Sequence, residues 1–190
     1  MSFVRRRIVG VMGSGQDRYE EIARPVGMTI ARLGYHLLTG GGGGVMAAVS
    51  EFFVGVEDRA GLCLGVTKAR KFRIDEESGE RVFAPSPPND WVEVPIVTHL
   101  PLSGTRGTDP LSRNHINVLT ADGVVALPGG AGTRSEIGLA AQYGRPMVLY
   151  LGGETVDGHS AEEILHDIDG GVTVVATPAD FEARLRELLA

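Results

Sequence analysis

Cysteine occurs once in the 190-residue chain, at Cys63, so no internal disulfide can form. Its place between Leu62 and Leu64 reads as that of a buried core thiol. One thiol without clustered histidines argues against a zinc centre, and no metal site is expected. Aromatic residues are scarce, at 6% with a single tryptophan. That argues against a platform for stacking the bases of single-stranded nucleic acid. An excess of positive charge is also lacking. Eighteen Lys and Arg against 24 Asp and Glu leave a net charge of −6, whereas a general nucleic-acid binder needs a basic face to neutralise phosphates. No apolar stretch approaches the ~20 residues that span a bilayer. The run Ile8 to Met12 behind Arg5, Arg6 and Arg7 is too short for the apolar core of a signal peptide. A cytoplasmic protein with no nucleic-acid or membrane partner is the expectation.

Glycine is what the chain has in excess. It numbers 27, about twice the usual ~7% share, and it is clustered. Between the clusters, short Val/Ile/Leu runs alternate with segments of helical period. Strands are expected at Ile8–Met12, Tyr35–Thr39, Leu62–Val66, Val92–Val97, Gly123–Leu127, Met147–Leu151 and Val172–Val175. Helices are expected over residues 18 to 33, where Ile22, Val26, Ile30 and Leu33 recur at helical spacing around Pro25, and at Val45–Val56, Ser112–Thr120, Gly132–Tyr143 and Ala161–His166. A last helix has Pro178 near its start and Phe181, Leu185 and Leu188 on one face. Apolar strands alternating with helices mean a parallel sheet covered on both faces, an α/β Rossmann-like doubly wound fold. Residues 1–190 read as one nucleotide-binding domain. A charged, proline-rich excursion interrupts it at about 67–90, with Lys68, Arg70, Lys71, Arg73 and the prolines 85, 87 and 88. A hairpin around Ser78 and Gly79 is expected there. The excursion reads either as a solvated insertion or as a cover for a ligand.

Three glycine clusters fall at the carboxyl ends of strands, where such sheets bind ligands. Gly13, Ser14 and Gly15 follow the first strand. Gly40 to Gly44, including Gly41, Gly42 and Gly43, follow the second. Pro128, Gly129, Gly130, Ala131, Gly132 and Thr133 follow the fifth and open a helix. Glycine lets backbone N–H groups approach an anion with no Cβ in the way, and a helix N-terminus adds a partial positive charge. Arg18 stands where a G-x-G-x-x-G fingerprint needs its last glycine, and no P-loop is present, so an ordinary NAD or ATP site is disfavoured. Thr133 and Glu136 have capping-box spacing. Glu136 therefore reads either as a cap or as a carboxylate facing a ligand above the glycine turn, and the two roles are compatible. His99 and His115 have no evident partners, and Arg113 has a bland alternative as a surface ion pair with Asp109.

Pro128 to Glu136 resembles the PGGxGTxxE motif of the Lonely Guy (LOG) family, whose members once carried a lysine decarboxylase label. The resemblance extends to Gly13-Ser14-Gly15 with Tyr19, to Leu33-Gly34-Tyr35 leading into Thr39-Gly40-Gly41-Gly42 and Gly44-Val45-Met46, and to Gly65-Val66-Thr67. Arg113 falls where that family has an active-site arginine. The resemblance implies a Rossmann-like fold in a homodimer or larger homo-oligomer, holding a small phosphorylated ligand. Glu136 and Arg113 would be catalytic. The ligand would lie over Gly13, Ser14, Gly15, Gly41, Gly42, Gly43, Gly129, Gly130, Gly132 and Thr133. The implied activity is phosphoribohydrolase, the cleavage by water of the N-glycosidic bond of a nucleoside 5′-monophosphate. No lysine decarboxylase chemistry and no required cofactor are implied. Arg113-Asn114 and Ser135-Glu136 stand where the hydrolases typically carry Arg-Lys and a pair of glutamates. These resemble the branch of molybdenum-cofactor carrier proteins, which implies the alternative of a non-catalytic carrier of a phosphorylated pterin such as molybdenum cofactor.

Overall fold

The computed structural model describes residues 5–69, 73–82, 86–168 and 170–190, with the backbone alone for 73, 74, 81 and 82. Arg70, Lys71 and Pro85 of the charged excursion lie outside them. In chain order the elements are β1 (Ile8–Met12), α1 (Glu20–Arg32), β2 (His36–Thr39), α2 (Val45–Val54), β3 (Cys63–Thr67), β4 (Arg73–Ile74), β5 (Arg81–Val82) and β6 (Val94–Val97). The second half continues with α3 (Asn114–Thr120), β7 (Gly123–Ala126), α4 (Ala131–Gln142), β8 (Met147–Leu149), α5 (Ala161–His166), β9 (Val172–Val174) and α6 (Pro178–Leu188). Seven strands form one sheet in the order β6-β3-β2-β1-β7-β8-β9, and every pairing in it is parallel.

Alternation along each strand sorts the apolar residues onto two faces. Val9 and Val11 of β1, Val125 of β7 and Val148 of β8 point to one face. There they meet Val26 and Ile30 of α1, Val49 and Phe53 of α2, and Phe181 and Leu185 of α6. Val124, Ala126, Met147 and Leu149 point to the other, against Val118 of α3, Ile137 and Ala140 of α4, and Ile164 of α5. This is the doubly wound α/β architecture the sequence predicts.

Element ends differ from expectation where a turn takes residues from a strand or helix. Tyr35 closes α1 instead of opening β2: its N–H bonds the Ile30 carbonyl at 3.2 Å behind Gly34, whose φ is +72°. Pro25 lies inside α1. The carbonyl it leaves without a donor is that of Glu21, on the exposed first turn. In the excursion, β4 and β5 pair antiparallel. Asp75 Oδ1 accepts from the N–H groups of Glu77 (3.1 Å) and Ser78 (2.9 Å), and Gly79 takes φ +68°, so the hairpin turns where expected. No helix among the described residues is long and apolar enough to cross a membrane.

The strand order reverses between β1 and β7, which pair directly, Val9 with Gly123 and Met12 with Ala126. The connections leaving these two strands diverge to opposite faces and open a crevice at their carboxyl ends, the position where this class of sheet holds ligands.

Candidate functional site

A cleft of about 790 Å³ occupies that crevice. The three glycine turns, Arg113 and Glu136 all line it, so the structure brings every site residue expected from sequence to one place. Packing explains several of the glycines. A Cβ at Gly13 would come within 2.6 Å of Val45 Cγ1, so its absence lets α2 begin against the end of β1. A Cβ at Gly129 would fall 2.8 Å from the Ser14 N, where the first and third turns cross. Ser14 N–H donates to the Pro128 carbonyl at that crossing, at 2.9 Å. The Ser14 hydroxyl is engaged within its own turn. It accepts from the N–H groups of Gln16 (3.1 Å) and Asp17 (2.9 Å) and donates to Asp17 Oδ2 (3.4 Å).

The second turn is held from outside. Asn89, at the exit of the excursion, donates its N–H to the Gly41 carbonyl (2.7 Å) and its Nδ2 to the Gly42 carbonyl (2.9 Å). Lys68, Ser86 and Pro87 of the same excursion line the cleft. The excursion is thus part of the cleft wall.

The third turn runs into α4 earlier than capping-box spacing suggests. Gly130 is the N-cap residue, extended at φ −104° and ψ −157°, and no side chain caps the helix. Thr133 is already the third helical residue, so the Thr133–Glu136 box does not form. The first N–H groups of α4 therefore face the cleft without a protein cap, with the positive end of the helix dipole behind them. A Cβ added at Gly130 would meet nothing within 4 Å, so this glycine borders open space.

Arg113 and Glu136 form the floor. Arg113 immediately precedes α3 and is 9% exposed, and its Nε and Nη1 are buried without an acceptor among the described residues. The guanidinium lies against Gly40, where its Cζ would be 2.8 Å from an added Cβ. Asp109, the alternative partner, pairs instead with Arg106 at 2.8 Å. Glu136, also 9% exposed, accepts a hydrogen bond of 3.0 Å from Asn117 Nδ2. Burial pushes the Glu136 carboxyl above its ordinary pKa, against the opposing pull of Arg113 and Asn117. Burial likewise lowers the pKa of Arg113, against the pull of Glu136.

Some residues at the cleft stand outside the set expected to hold the ligand. Tyr19 (φ 42°) and Asp157 (φ 53°) are the non-glycine residues with left-handed backbone among those described, and both line the cleft. Strain of that kind concentrates at functional sites. Asp157 N–H donates to the Gly129 carbonyl at 2.8 Å, which ties the connection after β8 to the third turn. Asn117 had a usable signal, since it stands one helical turn after Arg113. His115 is engaged away from the cleft, with Nδ1 2.7 Å from the Tyr143 hydroxyl and Nε2 3.0 Å from the Asp109 carbonyl.

The SLOG cluster4 family model matches residues 6–181. The fold is similar to that of the molybdenum cofactor carrier protein of Chlamydomonas reinhardtii, with a TM-score of 0.74 and 32% identity over 97% of this chain and 99% of that one. It is also similar to the molybdenum cofactor binding protein of the phototrophic bacterium Rippkaea orientalis, with a TM-score of 0.71 and 26% identity over 99% and 100% of the two chains. An uncharacterized protein of Archaeoglobus fulgidus is 30% identical over 139 residues, 72% of this chain and 75% of that protein.

Proposed function

The chain belongs to the SLOG cluster4 family, a LOG-like group, and from that premise we propose that it binds and carries a phosphorylated pterin of the molybdenum-cofactor type in the cleft at the β1–β7 reversal. The observation that carries this reading is the buried Arg113 guanidinium, whose Nε and Nη1 have no acceptor among the described residues in a cleft also lined by an uncapped helix start. A buried cation without a partner is costly, and a ligand phosphate supplies what it lacks through a planar two-bond grip. The phosphate lies over Gly129, Gly130, Gly132 and Thr133, within reach of Arg113, and the remainder of the ligand extends along Gly13 to Gly15 and Gly41 to Gly43. About 790 Å³ accommodates a nucleotide-sized molecule. Likeness to two proteins named for the molybdenum cofactor supports the choice of ligand class.

Mass spectrometry of the ligand carried by the purified protein tests the reading directly, with a phosphorylated pterin expected. Arg113→Lys keeps the charge and loses the fork. It should weaken binding of a phosphorylated ligand and leave its dephosphorylated counterpart nearly unchanged. Equal losses for both would place Arg113 on the ring system instead.

One observation favours a second reading, hydrolysis of a nucleoside 5′-monophosphate: Glu136 lines the cleft beside Arg113, where a carboxyl group can assist departure of the base. In that case Glu136→Gln should slow base release by about a hundredfold or more, the scale of ~3 kcal/mol of transition-state stabilisation. No free base from any common nucleoside monophosphate leaves the carrier reading alone.

A further inference from the structure

Three buried side chains meet at the cleft floor, and their hydrogen bonding does not close. Arg113 has two donors without acceptors. Asn117, fully buried on the first turn of α3, donates Nδ2 to Glu136 Oε1 at 3.0 Å, while its own Oδ1 is buried with no donor. Unsatisfied buried polar atoms are uncommon and call for a cause. A primary amide and a carboxylic acid pair through two hydrogen bonds, amide N–H to acid C=O and acid O–H to amide C=O. The first is present. The second needs a proton on Glu136, and it uses the oxygen that now lacks a donor. Rotating the amide by half a turn leaves the requirement in place, since its oxygen would then face Oε1 and need the same proton.

We propose that Glu136 takes up a proton as an anion enters the cleft, its O–H then meeting the Asn117 Oδ1, so that ligand loading on Arg113 is coupled to protonation. This rests on the reading of the cleft as an anion site. With Glu136 neutral, the floor carries the single positive charge of Arg113. With Glu136 ionised, that charge is cancelled, and an incoming anion faces a carboxylate across a desolvated cleft. Binding therefore draws a proton from solvent onto Glu136, and loss of that proton releases the ligand. Burial, which favours the uncharged acid, works in the same direction. The other charges near Glu136 are accounted for. Arg106, on the turn packed against α4, is tied to Asp109, and Arg134 of α4 pairs with Asp167 at 2.5 Å. Lys68, Asp17 and Asp157 line the cleft, and His115 of α3 is engaged with Tyr143 and the Asp109 carbonyl.

Sulfate is the suitable probe, because its own charge is constant from about pH 5.5 to about 8.5. Calorimetry in two buffers of different ionisation enthalpy should show close to one proton taken up per sulfate bound. Above the titration of Glu136, affinity should fall about tenfold per pH unit. Glu136→Gln cannot ionise and should bind sulfate equally at both ends of the range. Infrared spectra of the wild type should gain, on sulfate binding, a protonated-carboxyl band that Glu136→Gln does not gain. In Asn117→Leu it should shift to higher frequency, as the acid loses its acceptor. Arg113-dependent sulfate binding that is flat with pH, whatever the infrared band does, overturns the proposal and leaves the anion site standing. So does an equal pH slope in Glu136→Gln. Failure to bind sulfate at any pH overturns the anion site itself, and the coupling with it.

Discussion

At the scale of single residues, the cleft floor sets binding against stability. Arg113 costs the folded chain desolvation that Glu136 offsets only in part, and two of its nitrogens have no acceptor among the described residues. Arg113→Met should therefore raise ligand-free stability, by about 1 kcal/mol or more on the pattern of buried ions replaced by apolar side chains, while abolishing anion binding. Thermal unfolding and a sulfate titration on the same sample check both halves. Glu136 adds a pH dependence of known sign. Its folded-state pKa lies above the unfolded value, so the native state holds the proton more tightly. Stability should fall as pH rises from the unfolded carboxylate range through the folded value, and then level off. Glu136→Gln should remove that slope, which urea unfolding at several pH values will show. Arg113 and Glu136 were legible because a motif and a family resemblance pointed to them. Asn117 had only its place one helical turn after Arg113 to point to it, and its unfilled hydrogen bond is visible only once α3 and α4 are packed. The bonds of the Ser14 hydroxyl were equally out of reach, since its partners lie two and three residues along a turn whose shape the residue types leave open.

At the scale of elements, close approach decides what can change. Gly27 of α1 faces α2, where an added Cβ would sit 3.0 Å from the Phe53 N and 3.1 Å from the Phe52 Cβ. Backbone cannot yield as a side-chain tip can, so Gly27→Ala should destabilise by about 1–3 kcal/mol, measurable by denaturant unfolding with no direct effect on the cleft. Asn89→Ala removes the Nδ2 bond that holds the second glycine turn. It should cost about 1 kcal/mol and weaken ligand binding several-fold. The strands were legible as apolar runs because burial on both faces leaves no polar alternation to read. Their ends were less so: β6 begins at Val94 instead of Val92, where Val92 N–H bonds the Asn89 carbonyl at 3.2 Å in a turn. α4 starts at Ala131, one residue before the expected Gly132, and its two-glycine entry leaves the Thr133–Glu136 capping-box spacing unused.

At the scale of the whole molecule, a ligand at about a hundred times its dissociation constant should add about 2.7 kcal/mol to stability. For a chain of this size that is a rise in melting temperature of about 5–10 °C, readable by calorimetry, and Arg113→Met should show none of it. The ligand would touch turns from both halves of the sheet, which meet at the pairing of β1 with β7. That pairing joins Val9 to Gly123 and Met12 to Ala126. β1 thus receives its second neighbour only after more than a hundred further residues have been made. During synthesis at ~5–20 residues per second, the nascent chain carries β1 as an open border for several seconds, its hydrogen-bonding groups on that side free to recruit a strand from another polypeptide. A ribosome-bound chain halted before residue 123 should therefore bind holding chaperones, and one extended past the end of α4 should let go of them.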